Sequence, residues 1–520
     1  MGQIPCSNVV QLYRAEYGAE YSSKFCGADP DFMAPVQLPL RLNHPTLIIC
    51  LASFLLFFFH ITSHHPTQSQ STMGFLFSKE ESTPAEMVQI VPENIAEKPQ
   101  NRVLVIGGAY AGLSAVIHLL ELANGGEHRP TSVPLPPVTG KPLRSSVQIT
   151  MIDERDGFYH TIGSPLALAD DEYAEKAWRK YADVKAIQHP SIRVVQGSVT
   201  NLNCSSKTAT ITYSTGHTSI VEYDYAICCS GLRREHPSVP QSIFREKYLE
   251  ECKSHISDIR SVSESIVIVG GGAVGVEMSA ELKLCFPDKS VKLIHSHDHV
   301  LSGEPLPDKF KDVALGLLHE QGVETILGER VVSSNPDSPT DTGFTVRLKS
   351  GKTLRAGKVI WAISRPVPTS TYAPAAALDH EGFIAVTPQL RFPSTVPNAE
   401  YHFAAGDIMA WSGIKRCGAA MYFAQIAIAN MHQLMLQAEG DTDTKLVDAP
   451  SVEPMIALAV GKKAATFYAD NVAAGEEQLK ASFGEDLGLT VVWKYLKLGE
   501  AFEMPKEKEV EGKESSTEAT

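Results

Sequence analysis

Ile266-Val267-Ile268-Val269-Gly270-Gly271-Gly272-Ala273-Val274-Gly275 is the stretch whose reading decides the fold. Four β-branched residues in a row read as a strand buried on both faces. The glycines Gly270, Gly272 and Gly275 then read as a tight turn into a helix, Val276 to Leu284. Glycine suits this turn because the chain must reverse sharply and let a pyrophosphate approach the helix N-terminus. Unpaired N–H groups and the helix dipole attract negative charge there.

The same grammar occurs upstream. Val103-Leu104-Val105-Ile106 is a buried-strand run, followed by Gly107-Gly108-Ala109-Tyr110-Ala111-Gly112 and a helical pattern from Leu113 to Leu122. Ala109 stands where the middle glycine is expected. One glycine-rich turn is a weak signal, but two strand-turn-helix units, about 160 residues apart in one chain, call for two dinucleotides. A flavin and a nicotinamide are the economical pair.

The strand after such a unit should end in an acid that holds ribose hydroxyls. In the first unit, Val147-Gln148-Ile149-Thr150-Met151-Ile152 ends at Asp153, 41 positions beyond Gly112. The Gly- and Pro-rich stretch Asn124 to Ser146 accounts for the excess and reads as a surface insertion. In the second unit, Val291-Lys292-Leu293-Ile294 ends at His295, 20 positions after Gly275. An acid there would repel a 2'-phosphate, so His295 with Ser296 leaves NADPH open beside NADH. A histidine that merely ends a strand is the other reading.

Further along, Ala399-Glu400-Tyr401-His402-Phe403-Ala404-Ala405-Gly406-Asp407 reads as a strand ending in Gly-Asp, with a helix from Gly418 to His432. This order of motifs resembles the two-dinucleotide-domain flavoproteins, and within them the apoptosis-inducing-factor-like branch that includes ferroptosis suppressor protein. The resemblance covers about Arg102 to Met431. It implies an α/β fold of two Rossmann-like dinucleotide-binding domains, the FAD domain discontinuous and the NAD(P) domain inserted, plus a small C-terminal region. The expected boundaries are 101–260 and 376–435 for the FAD domain, 261–375 for the NAD(P)H domain, 436–505 for the C-terminal region and 506–520 for a disordered tail.

The resemblance also assigns residues. The turn Gly107, Gly108, Ala109, Tyr110, Ala111 and Gly112 would hold the FAD pyrophosphate, Asp153 its adenosine ribose, and Gly406 and Asp407 its ribityl chain. The helix after Asp407 would turn its positive end to the flavin, whose reduced form is anionic. His160 lies in a loop that packs near the flavin in relatives. Gly231, in Tyr225-Ala226-Ile227-Cys228-Cys229-Ser230-Gly231, and Ser364, in Val359-Ile360-Trp361-Ala362-Ile363-Ser364, close the two crossover loops, Ser364 standing where members usually have glycine. Gly270, Gly272, Gly275 and His295 would take NAD(P)H. Glu277 matches a glutamate beside the nicotinamide, although a glutamate compensating the helix dipole is an equal explanation.

Composition narrows the rest. The chain has 60 Asp and Glu against 46 Lys and Arg, a formal charge of −14, which argues against nucleic acid as a partner. Of nine cysteines only Cys228 and Cys229 adjoin, and no C-x-x-C occurs. That speaks against a zinc ribbon, a disulfide framework and a dithiol relay, and for an intracellular setting. His295, His297 and His299 alternate without further ligands, so no metal is expected.

Residues 1–100 read as a leader and linker. Its apolar segment 47–61 is shorter than the ~20 residues of a spanning helix, and Met73-Gly74-Phe75-Leu76-Phe77-Ser78 fits the N-myristoylation pattern if translation starts there. Either way a membrane surface is implied, as a lipid-anchored contact or a short transmembrane anchor. The expected activity is FAD-dependent oxidation of NAD(P)H with a quinone or other small-molecule acceptor. The expected localisation is intracellular and membrane-associated, with the mitochondrial outer membrane and the lipid droplet surface as alternatives. A tailoring oxidoreductase for a dedicated metabolite and a cell-death-factor-like redox signalling protein remain the other readings. Oligomeric state is not legible.

Overall fold

A computed structural model describes residues 101–503 apart from 130, 132, 133, 136, 139, 337–342, 364–366 and 412. The apolar segment 47–61, the Met73 pattern, Ser364 and the tail 506–520 lie outside the described residues.

The chain starts in one parallel sheet, leaves it for a second, and returns. β1 (Asn101–Ile106), α1 (Tyr110–Ala123), β2 (Val147–Asp153), β3 (Ile192–Gln196) and β4 (Tyr225–Cys228) form the first pass. β5 (Ile266–Val269), α2 (Ala273–Cys285), β6 (Val291–Ile294), β7 (Glu324–Ile326) and β8 (Lys358–Trp361) form the second unit. β9 (His402–Ala404) and the long α3 (Cys417–Ala438) then complete the first. The first sheet has the order β9-β4-β1-β2-β3 and the second β7-β6-β5-β8, with every neighbouring pair parallel. This is the expected doubly wound class, with one nucleotide unit inserted in the other.

β1 and β5 are the pivots. Val103–Ile106 and Ile266–Val269 are buried throughout, as a central parallel strand covered on both faces must be. α1 is buried nearly all round because it lies between the first sheet and α3, where Ser114 Oγ donates to the Met421 carbonyl at 3.1 Å. Each fully buried Leu or Ile in this stack contributes about 1.5–3 kcal/mol.

Three local expectations change. α3 runs on to Ala438, past the expected helix end at His432 and into the segment expected to start the C-terminal region. Its residues Met435 and Leu436 are buried, and their burial extends the helix past His432. The stretch Asn124 to Ser146 is docked rather than a free surface insertion: Leu135, Val138 and Leu143 pack against the core, and the Tyr422 hydroxyl donates to the Pro134 carbonyl at 3.2 Å. The strand before Asp407 is short, with 3₁₀ turns at Ala399–Tyr401 and Gly406–Ile408 on either side.

The C-terminal region forms an antiparallel sheet, β10 (Ile456–Val460), β11 (Lys463–Tyr468) and β12 (Asn471–Gly475), followed by α4 (Glu476–Phe483) and α5 (Leu489–Tyr495). Leu458, Ala459 and Val460 join the core of the second unit, whereas Leu489, Val492 and Leu496 join that of the first. The region therefore straddles both units and roofs the space between them.

Candidate active site

That space is a cavity of about 710 Å³. The first turn reaches it through Ala109, Tyr110 and Ala111, β2 through Asp153, the crossover after β4 through Gly231, the 3₁₀ turn through Gly406 and Asp407, and α2 through Ala273, Val274 and Glu277. Residues far apart in the chain meet here because all these positions sit at the carboxyl ends of parallel strands, where open α/β sheets bind ligands.

Gly107 holds a φ of +100° and Gly270 one of +117°, which only glycine adopts without strain. A Cβ on Gly112 or Gly275 would collide with the carbonyl oxygen of Gly107 or Gly270 respectively. The two turns are thus the same device. The space in front of Gly272 is open, with nothing within 4 Å of a Cβ built there. An open cradle before a helix N-terminus suits a pyrophosphate.

Asp153 accepts the N–H of Gly108 at 2.6 Å through Oδ2 and that of Arg155 at 2.8 Å through Oδ1. Burial pushes its carboxyl above the usual range, against the pull of the Arg155 charge and these bonds. Each oxygen retains acceptor capacity for a ribose hydroxyl. Asp407 is raised likewise by burial, with Arg234 at 4.0 Å and Lys415 opposing. Lys415 Nζ donates to the carbonyls of Asp407 and Met409, both at 3.0 Å, and so pins the turn that presents Asp407.

α3 enters the cavity by its first turn, Cys417 to Ala420. No side chain caps it, so its N–H groups and the positive end of its dipole are free to face a negative group. Burial pushes the Cys417 thiol up to about 11 and keeps it protonated. Glu277 is raised to about 8 by burial, with only the Ala459 N–H, at 3.4 Å, opposing. One helical turn on, Glu281 is 2% exposed and also raised to about 8. Both carboxyls are mostly protonated at neutral pH.

His295 ends β6 and takes part in the second turn. Its Nδ1 accepts the Gly271 N–H at 3.0 Å and its Nε2 meets Ser302 Oγ at 2.9 Å. His160, expected among the cofactor residues, stands behind the cavity wall. It is fully buried, bonded to the Tyr110 hydroxyl at 3.1 Å and the Leu487 carbonyl at 3.0 Å. Burial lowers its imidazole to about 4, so it holds Tyr110 as a neutral ring. Arg234, Lys415, Cys417 and Tyr495 line the cavity without having been expected there. They carry no motif, and only the spacing of Arg416 and Cys417 just ahead of a small-residue helix could have pointed to any of them.

A family model described as pyridine nucleotide-disulphide oxidoreductase matches residues 101–428. The chain belongs to the pyridine nucleotide-disulphide oxidoreductase family. Oxidoreductase OXR1 of Ajellomyces capsulatus is 47% identical over 408 residues, 77% of this chain and 88% of that protein. Ferroptosis suppressor protein 1 of Xenopus laevis is 23% identical over 341 residues, 64% of this chain and 81% of that protein. The water-forming NADH oxidase from Lactobacillus brevis, solved with NADH, shares the fold at a TM-score of 0.52 and 18% identity, covering 70% of this chain and 74% of that one. This family member is a FAD-dependent NAD(P)H oxidoreductase of the apoptosis-inducing-factor-like kind. The family's description includes disulphides, yet the described cysteines here are free thiols.

Proposed function

We propose that this oxidoreductase passes electrons from NAD(P)H through FAD to a quinone-like acceptor at a membrane surface. Bound FAD supplies the chemistry, taking a hydride from the nicotinamide and releasing electrons to the acceptor. The residues of the chain hold and screen that chemistry. Asp153 and the turn at Gly107 to Gly112 hold one end of the FAD, Gly406 and Asp407 its middle, and the bare first turn of α3 favours negative charge at the other end. Gly270 to Gly275 and His295 serve the nicotinamide nucleotide, with protonated Glu277 facing the cavity between the two.

The observation that carries the acceptor class is the apolar roof. Met421, Val452, Ile456, Val491 and Val492 are among the residues lining the cavity, side chains suited to a flat, apolar, redox-active ring. With no C-x-x-C in the chain, this reading calls for no dithiol relay between a bound flavin and its acceptor. Likeness to a ferroptosis suppressor protein and the leader's apolar and Met73-Gly74 patterns support a membrane setting. Among the described residues no helix is long and apolar enough to cross a membrane, so on this reading the contact lies in residues 1–100.

A dedicated metabolite is the second reading, for which Ala109 in place of the middle glycine and the long stretch from Asn124 to Ser146 leave room. Anaerobic stopped-flow separates the two. Flavin absorbance bleaches on adding NADH or NADPH, and a short-chain ubiquinone restores it quickly if the first reading holds. Bleaching without recovery by any quinone rejects it.

A further inference from the structure

Gly488, Val491, Val492 and Tyr495 recur on α5 and the residue before it at the spacing of one helical face, and that face lines the cavity. Met421, Tyr422 and Gln425 share a face of α3 in the same way. The two faces meet where Gln425 Nε2 donates to the Tyr495 hydroxyl oxygen at 2.6 Å. Gln425 is fully buried, and its Oε1 has no partner among the described residues. A polar pair with an orphaned oxygen, set in a wall of valine, isoleucine and methionine, costs stability that apolar side chains would not, and so calls for an explanation.

The bond also directs a proton. The phenol oxygen accepts from the amide, no described residue accepts the phenol's own O–H, and Tyr495 lines the cavity. Burial raises the phenol above its ordinary range, which keeps it protonated. The ring is anchored at its backbone as well: Arg129, paired with Glu121, donates to the Tyr495 carbonyl. Tyr495 also lines a second cavity of about 830 Å³, along with Glu121, Arg129, Lys185, Leu496 and Phe502 among others. Tyr495 is therefore held at its hydroxyl and at its carbonyl, with one unspent hydrogen-bond donor.

We propose that Tyr495, held by Gln425, is the acceptor-selecting residue, donating its O–H to a carbonyl oxygen of the acceptor while the valine face of α5 covers the ring. This rests on the quinone-like reading above and gives it a chemical criterion: acceptors carry a carbonyl conjugated to a flat apolar ring. Tyr495 positions the acceptor and gives up no proton.

The test is a binding titration of the oxidised holoenzyme with menadione and with 2-methylnaphthalene, the same carbon skeleton without carbonyls. Tyr495→Phe is expected to weaken menadione binding about tenfold, the scale of one hydrogen bond. Binding of 2-methylnaphthalene should change by less than about twofold. In turnover, the ratio of menadione to ferricyanide reoxidation rates should fall by about the same factor of ten, because ferricyanide needs no carbonyl contact. Gln425→Leu, which frees the phenol to turn away, should move both readouts in the same direction and carries the test should Tyr495→Phe lose its flavin. Equal effects on the two naphthalene compounds, or none on menadione, overturn the inference alone. A wild-type enzyme that binds menadione no better than 2-methylnaphthalene, and is reoxidised by no quinone, overturns the acceptor reading and the inference with it.

Discussion

His295 accepts the backbone N–H of Gly271 at 3.0 Å, and so repeats the bond by which Asp153 accepts that of Gly108 at 2.6 Å. The histidine takes the structural part of the acid without its charge. Because Nδ1 is the acceptor, Nε2 carries the hydrogen and the ring is neutral. Burial lowers its pKa, in keeping with that form.

His295→Asp would keep the turn's bond and add a negative charge where a 2'-phosphate would lie. The ratio of kcat/KM for NADPH to that for NADH should fall at least about tenfold. Flavin bleaching rates with the two nucleotides measure it, and an unchanged ratio would remove His295 from the nucleotide site.

Gly272→Ala should leave stability within about 0.5 kcal/mol, since its Cβ meets nothing, yet weaken NADH binding about tenfold or more by filling the cradle. Gly275→Ala should destabilise by about 1–3 kcal/mol, because its Cβ has nowhere to go. Thermal midpoints and nucleotide titrations of the two variants distinguish steric from ligand effects.

Asp153→Ala strips the acceptor from two N–H groups, at a cost of about 1–3 kcal/mol, in addition to any ribose contact. FAD should be lost on dialysis from the variant and retained by the wild type. Absorbance after gel filtration reads this directly, and full retention would contradict the role given to Asp153.

Glu277, raised to about 8, is neutral at pH 7 and ionises as pH rises through 8. An ionised carboxylate facing the cavity repels an anionic nucleotide, so the Kd for NADH should increase between pH 7 and 9. Glu277→Gln, which mimics the protonated acid, should flatten that profile. Glu281 titrates nearby and raises Glu277 further, so Glu281→Gln should shift the wild-type transition to lower pH without abolishing it.

His160, His402 and His432 are all buried and lowered to about 4. Unfolded, each takes a proton near pH 6.5, so the unfolded state binds more protons between those values and stability falls as pH drops from about 6.5 to 4. The slope has a ceiling of roughly 1.4 kcal/mol per histidine per pH unit. His402→Gln should lessen the pH dependence of denaturant unfolding across this range, and an unchanged slope would exclude its contribution.

The two glycine turns and the positions of Asp153, Asp407 and Glu277 at the cavity were legible because each follows closely on a strand end, where local sequence dictates the geometry. Arg234 and Tyr495 were not, since each meets its partner, Asp407 or Gln425, across a distant segment, and Lys415, bonded to carbonyls only eight and six residues away, carries no motif. His160 shows the limit of analogy. Its place after β2 pointed toward the flavin, but bonds to Tyr110 and Leu487, the latter 327 residues on, turn the ring into the wall. The helix after Asp407 was read too short because its last residues, among them Met435, are held by packing rather than by a recognisable stop.

The docked stretch between α1 and β2 has a consequence for how such an enzyme can diverge. Arg129 grips the carbonyl of Tyr495, 366 positions downstream, and contacts neither glycine turn in doing so. Lineages could therefore lengthen, shorten or rewrite this span and reshape the roof over the acceptor while both cofactor sites are inherited intact. Chimeras that exchange only 124–146 between relatives would transplant acceptor preference as a trait separable from nucleotide preference.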